Sequence, residues 1–297
     1  MMIMRRIKIL CDVLKSIAVM CVAGVAIAVI VPVFVADQFR TGGASMNPTL
    51  GTGDHILVDK LLMEARIYTS YDFTVPELKS FRMPGIRRVR PGDVAVFNYP
   101  EGWEKDRIGF RINYVYTKRC IGCPGDTVRI TDGFYRNSSC PDEILGSEVM
   151  QSILSGTPDS LLVAQGVFLP AMPFRKEFGW TIRKFGPLYV PGQGDTIRLD
   201  NMTARLYRKI IEYETDEKVE VRGGTVYIGD SPEESYTFAG NYYFFGGDNV
   251  LNSKDSRYTG LVPEEFIVGI ATRILFSVDP DTGAFRRDRF MRRIRRL

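Results

Sequence analysis

From residue 16 to residue 36 the chain runs SIAVMCVAGVAIAVIVPVFVA, 21 positions without a charge. A helix of that length rises about 30 Å, the thickness of a bilayer's hydrocarbon core. The pattern predicts one N-terminal transmembrane helix, and no later stretch reaches that length. Beyond it the texture changes to short runs at 55–59, 93–97, 114–118, 127–130, 225–228, 242–245 and 266–270. These are rich in β-branched and aromatic residues and bounded by Gly, Pro or Asp, which reads as strands. Gly-Asp pairs recur at 53–54, 92–93, 125–126, 194–195, 229–230 and 247–248, where turns are expected. The reading is a mainly β fold, an antiparallel β-sheet or barrel-like core preceded by one transmembrane helix. Residues 204–214 (ARLYRKIIEYE) form the best soluble helix candidate. Alternation weakens between 137 and 241, with a Ser/Pro/Gly-rich portion at 146–173, so this stretch reads as a smaller α+β domain inserted into the core. The chain then divides into 1–15, 16–36, 37–136, the insertion 137–241, 242–284 and a tail at 285–297.

Charge gives the hydrophobic segment a direction. Arg5, Arg6, Lys8 and Lys15 precede it against Asp12 alone, which places residues 1–15 in the cytoplasm and everything after Asp37 across the membrane. A cleaved signal peptide is the competing reading, because Ala26-Ile-Ala28 mimics a cleavage site. Its apolar region spans only about 7–15 residues, and a cut there would strand eight apolar residues on the new terminus. Pro32 is tolerable near the end of a membrane helix. The net charge of +4 belongs to the tail, whose thirteen residues FRRDRFMRRIRRL hold seven arginines and one aspartate. On a helix, Phe290, Met291, Ile294 and Leu297 share one face, the pattern of a helix lying on an anionic lipid surface. A disordered solvated tail and a nucleic-acid-binding tail are the alternatives, the latter without purpose outside the cytoplasm.

With 45% hydrophobic and 25% charged residues, wholesale disorder is excluded. Five cysteines (Cys11, Cys21, Cys120, Cys123, Cys140) are too few for a disulfide scaffold. Cys120 and Cys123 have redox spacing but no βαβ surroundings and no second pair to complete a zinc site; they read as small apolar residues on a strand and turn. The single histidine, His55, excludes multi-histidine metal sites.

Four stretches carry candidate chemistry. GASMNPTL at 43–50 follows the hydrophobic run closely, and GDHILVDK follows at 53–60. RPGDVAVF at 90–97 leads to YTKRCIGCPGD at 116–126, and GDNVLNSKDSRYTGLVP closes the series at 247–263. In that order, behind an N-terminal anchor, they resemble the boxes of the type I signal peptidases, membrane-bound serine proteases that remove signal peptides from exported proteins. The resemblance covers roughly residues 5–130 and 240–278. It implies Ser45 as nucleophile and Lys118 as general base. It also implies Ser253 as the hydroxyl orienting the lysine, Asp255 and Arg257 as a supporting pair, and the Ser45 backbone N–H as oxyanion donor. The residues agree independently. A serine hydroxyl needs a neighbouring base, and His55 alone makes a poor case for a Ser-His-Asp arrangement. A lysine serves if its pKa falls to about 7–8 by burial or a nearby cation. Lys118 ends a strand of Tyr, Val, Tyr and Thr, and adjacent Arg119 is a candidate cation.

Two features depart from the family pattern. Gly43 stands where some members carry a second, hydroxyl oxyanion donor, and Val250 and Leu251 replace a polar pair, which suggests an apolar loop contact. The resemblance implies exported preproteins as substrates, cut after small-x-small sites, at the inner or cytoplasmic membrane with the catalytic part extracytoplasmic. Thr41, Met46 and Thr117 are candidates for substrate-pocket walls. No cofactor, metal or nucleic-acid partner is implied. A maturation protease dedicated to one secretion system and a silent homologue remain as rivals; a self-cleaving repressor is disfavoured by the anchor.

Overall fold

The structure, a computed structural model, describes the backbone of residues 2–31, 35–63, 66–68, 80–82, 85–101 and 106–296. Helix α1 (Met2–Ile30) leads into β1 (Ala36–Arg40) and β2 (Asp54–Asp59), then the short pair β3 (Arg66–Tyr68) and β4 (Ser80–Arg82). There follow β5 (Val94–Asn98), β6 (Val115–Gly122), β7 (Thr127–Thr131) and β8 (Phe134–Asn137). Helices α2 (Glu148–Gly156) and α3 (Asp159–Ala164) precede β9 (Phe185–Tyr189) and β10 (Thr196–Arg198), and then comes α4 (Asn201–Thr215). Four short strands come next, β11 (Val219–Arg222), β12 (Thr225–Ile228), β13 (Ser231–Pro232) and β14 (Ser235–Thr237). The chain closes with β15 (Tyr242–Gly246), α5 (Ser256–Thr259), β16 (Val262–Pro263), β17 (Ile267–Ser277) and β18 (Arg292–Arg293).

One eight-stranded antiparallel sheet holds the molecule together, in the order β1-β2-β17-β5-β6-β15-β16 with β18 beside β17. Side chains alternate across it. Val94 and Val96 of β5 enter a core with Ile56, Val58 and Ala271, whereas Ala95 and Phe97 enter another with Tyr243, Phe245 and Ile270. Burial on both faces explains why these strands read as continuous apolar runs. Register shifts in β17 and β15 mark bulges, which increase local twist. The largest core joins β7, β8 and β9 with α2, α3 and α4. Helix α4 starts on a capping box, with Asp200 accepting from the amides of Met202 and Thr203.

All seven expected strands are present, as is the expected helix, lengthened at both ends. Four of the six Gly-Asp pairs share a device. Gly53, Gly92, Gly125 and Gly194 have positive φ, and the aspartate after each accepts the amide three residues back: Gly51, Arg90, Cys123 and Gly192, at 2.7–2.9 Å. Each turn is thus closed by a side chain as well as by backbone.

Two expectations change. The N-terminal helix starts at Met2 rather than residue 16 and ends at Ile30, and Ala36 already belongs to β1, paired with Asp59. Residues 32–34, with Pro32, lie outside the described residues. Among the described residues no helix is long and apolar enough to cross a membrane.

The tail is not an amphipathic helix. A single 3-10 turn (Arg287–Arg289) is followed by β18, which pairs with Arg273 and Ile274. Met291 has φ +51°, and its amide bonds Leu275 O at 3.1 Å, as Ile294's bonds Thr272 O at 3.0 Å. Leu297 lies outside the described residues; of the described members of the expected apolar face, Ile294 alone is buried, against Met46 and Leu50. Arg289 grips the fully buried Asp54 and bonds Thr49 O at 3.0 Å. These contacts outweigh a helical period that thirteen residues state only weakly.

Candidate active site

Residues 41–53 form the loop between β1 and β2, and Thr41 closes its neck. Its amide donates to Asp54 O at 2.9 Å and its hydroxyl to Gly51 O at 2.5 Å. Met46 and Leu50 plug the loop onto the sheet, 3% and 0% exposed. Asn249 holds the other side: its amide donates to Ser45 O at 3.0 Å and its side chain to Ala44 O at 3.1 Å. Ser45 is thereby fixed from both neighbours, with its hydroxyl free to point elsewhere.

That hydroxyl meets Lys118. Nζ lies 2.5 Å from Ser45 Oγ, although 73 residues separate the two. Strand β6 presents Lys118 beside Ala95 of β5, on the face that carries Cys120 and Phe97, and the amine lies 5.0 Å from the Tyr116 ring. Lys118 is only 4% exposed. Burial pushes its pKa down to about 8, with Asp255 and Asp248 opposing and Arg257 assisting. An amine near neutrality, in hydrogen-bond contact with a serine hydroxyl, can take that proton.

The expected helper cation is a correction. Arg119 follows Lys118 on a strand and so points to the opposite face. Its guanidinium pairs with Asp248 through Nε–Oδ1 at 2.7 Å and Nη2–Oδ2 at 2.6 Å, both side chains buried. The same group bonds Gly92 O at 2.7 Å, Arg296 O at 2.7 Å and the Thr49 hydroxyl at 3.3 Å. Thr49 in turn donates to Asp248. One guanidinium therefore ties the base's strand, the nucleophile's loop, the loop after β15 and the tail. The cation that depresses Lys118 is Arg257.

Arg257 is wholly buried and makes two 2.8 Å bonds to Asp255, from Nε to Oδ1 and from Nη2 to Oδ2, plus one to Val250 O at 2.9 Å. Asp255 also caps α5 and accepts the Gly247 amide at 2.9 Å. Its carboxyl is disfavoured by burial, yet Arg257's charge and hydrogen bonds hold its pKa below the usual carboxylate value. The pair braces the 247–257 loop from inside. Val250, 2% exposed, and Leu251 pack into the largest core, the apolar contact expected of that departure.

Ser253 is 8% exposed, and its Oγ makes no hydrogen bond of ordinary geometry among the described residues. It packs against Gly247, where a Cβ would stand 2.1 Å from Ser253 Oγ and 2.6 Å from Ser45 O. Only glycine permits that approach, which is a different use from the positive-φ glycines of the other Gly-Asp turns. Of the three wall candidates, Thr41 is engaged in closing the loop and Met46 in the core, leaving Thr117 half-buried on β6. Gly43 is exposed, with nothing within 4 Å of where a Cβ would stand. His55 Nδ1 accepts from the Gln38 side-chain amide at 2.7 Å and its ring stacks on Phe276; neither contact involves Ser45. Thr49, Asp248 and Asn249 lie in the motifs, but sequence reasoning gave them no role because their partners are remote in the chain.

Strand β6 has one further property. Residues 115–119 pair with β5, but β15 pairs only with residues 119–122. Among the described residues, therefore, no strand pairs with the second edge of positions 115–118, which end at Lys118.

Comparison with known proteins gives the family. The family described as "Signal peptidase, peptidase S26" matches residues 14–159 and 190–276, which include Ser45, Lys118 and the 247–257 loop. A signal peptidase I of Pseudomonas aeruginosa is 28% identical over 257 residues, covering 82% of this chain and 66% of that protein. Another, from Buchnera aphidicola of Acyrthosiphon pisum, is 30% identical over 250 residues, covering 83% and 70%. The chain thus spans about two thirds of the length of these relatives. A crystal structure of a signal peptidase I from Enterococcus faecalis matches with 19% identity and a TM-score of 0.29, over 63% of this chain and 100% of that one; a score this low carries no weight for the fold.

Proposed function

The chain belongs to the signal peptidase family, peptidase S26, and from that membership we propose that it is a signal peptidase I. It is a serine endopeptidase that removes signal peptides from exported preproteins after small-x-small sites. The observation that carries this is the 2.5 Å contact between Ser45 Oγ and the buried Lys118 amine. An extended peptide adds as a strand along residues 115–118, which brings its scissile carbonyl to Ser45. Neutral Lys118 takes the Ser45 proton as Oγ attacks, and the Ser45 N–H, which donates to no group among the described residues, stabilises the oxyanion. Lys118 then gives its proton to the leaving amine and activates the water that frees the acyl enzyme. Ser253, buried against Gly247 close to the Ser45 carbonyl, supplies the hydroxyl that orients the amine when substrate is bound. Residues 137–241 act as a domain inserted into this core.

The test is cleavage of purified preproteins by wild type and Ser45→Ala, with the cut located by mass spectrometry. A single Ser45-dependent cut after a small-x-small triplet is expected. A cut that persists in Ser45→Ala, or none in several preproteins with folded enzyme, overturns the reading.

The apolar part of α1, from residue 16 to Ile30, anchors the protein in the cytoplasmic membrane by one pass, with residues 1–15 inside and the catalytic part outside. The side chains of α1 described from 13 to 28 are almost all exposed, including Val19, Met20, Val22, Val25 and Ile27, as suits a helix that lipid would cover. The arginines of the folded-back tail add attraction to anionic lipid, since Arg292, Arg293, Arg295 and Arg296 remain exposed. In vesicle flotation, deleting residues 1–30 should abolish binding to neutral vesicles. Arg292→Gln with Arg293→Gln should weaken binding to anionic vesicles alone. Neutral-vesicle binding without residues 1–30 removes the anchor, and equal anionic binding removes the tail.

A further inference from the structure

Strand β6 ends at Gly122, where there is no room for a side chain: a Cβ would stand 2.3 Å from Val128 Cγ2 and 3.1 Å from Val190 Cγ2. The chain turns at once, and Asp126 fixes the turn by accepting the Cys123 amide at 2.8 Å. This carries Cys123 back over the strand, so that its Sγ lies 3.5 Å from that of Cys120. Both are free thiols. Cys120 is fully buried in the core with Ala95, Tyr243 and Phe245, while Cys123 is partly exposed with its Sγ 3.3 Å from Val89 O. No group of three or more metal-ligating side chains gathers there among the described residues.

We propose that Cys120 and Cys123 are a thiol–disulfide site, closed by exchange with a disulfide oxidant, on the strand that carries Lys118. The inference rests on the sulfur geometry and stands whether or not the peptidase reading does. Bond formation brings the sulfurs from 3.5 Å to about 2.05 Å, on a backbone already held by the Asp126 turn. The partly exposed Cys123 reacts first. Its thiolate attacks one sulfur of a disulfide R–S–S–R, forming a mixed disulfide and releasing one thiolate, R–S⁻. The Cys120 sulfur then attacks Cys123 Sγ, forming the internal S–S bond and releasing the second R–S⁻. Two protein thiols are oxidised, the oxidant is reduced to two thiols, and the two protons lost by the cysteines end on those thiols. Cys120 lies two residues beyond Lys118 on the same face, so the bond pins the end of the strand that presents the base.

Trypsin cleaves after Arg119 and after Arg129, so one peptide, residues 120–129, carries both cysteines and no others. Full-length protein in detergent is incubated with oxidised glutathione, then denatured, alkylated and digested. Peptide 120–129 should escape alkylation and weigh about 2 Da less than its dithiol form. In Cys120→Ala the same treatment should leave Cys123 as the glutathione mixed disulfide, trapping the first step. Two alkyl groups on the wild-type peptide after prolonged oxidation overturn the proposal. A cross-link from Cys123 to Cys140, or glutathione persisting on wild-type Cys123, also overturns it.

Discussion

Lys118→Met should lower kcat/KM by at least about 10⁴-fold while making the protein more stable at neutral pH. Loss of activity follows because Ser45 keeps its position but loses its proton acceptor. The gain in stability follows from the same burial that makes Lys118 a base. Its folded pKa of about 8 lies below the model-compound value of 10.5, so below pH 8 both folded and unfolded chains hold the proton and the folded one bears the full cost of a buried charge. That cost is about 3 kcal/mol. Between pH 8 and 10.5 the unfolded chain binds more protons, so wild-type stability rises with pH and the advantage of Lys118→Met fades. Wild-type kcat/KM should climb about tenfold per pH unit below 8 and level above it. Urea denaturation at pH 7 and 10.5, with a pH–rate profile, checks all three. Full activity in Lys118→Met would sink the dyad, and a flat profile from pH 6 to 9 would sink its depressed base.

Arg257→Ala should be the most destabilising single substitution near the site. It leaves Asp255, wholly buried, without its counter-charge, and removing one member of such a pair costs about 3–5 kcal/mol. The Gly247 amide and the first turn of α5 both hang on Asp255, so the 247–257 loop should loosen. Asn249 would then release the Ser45 loop, and activity should fall with stability. Arg257→Lys should recover only part, since an ammonium cannot make two parallel bonds to one carboxylate. A loss below about 1 kcal/mol by urea denaturation would show that the pair is not the brace described here.

The dyad was legible because each half sits in a short motif resembling a known family's, and the structure shows what some of the neighbours do: Met46 and Leu50 seat the serine's loop, and the Tyr116 ring lies 5.0 Å from the lysine amine. The strands were legible because burial on both faces leaves unbroken apolar runs. Asp248 and Thr49 were not, because each acts through Arg119, 129 and 70 residues away in sequence. Arg119 itself misled, since adjacency on a strand means opposite faces rather than nearness. The tail misled for a related reason. Its arginines and apolar residues fit a helix, but the partners that decide the matter, Asp54 and the β17 backbone, lie outside its own sequence.

The place of β17 has a consequence in time rather than in space. It lies between β2 and β5, yet 168 residues separate the end of β5 at Asn98 from its start at Ile267. A chain emerging from the N-terminus lays down β1, β2, β5 and β6 with a vacant lane through the middle of the sheet. Asp255 and Arg257, which surround the lysine with charge, arrive just before the strand that fills that lane. With only those four strands in place, the burial that depresses Lys118 is incomplete, because Tyr243, Phe245 and Ile270 of the core on its face have not yet been made. Such long-range closure folds slowly, but it keeps a proteolytic centre silent until the protein that contains it is whole.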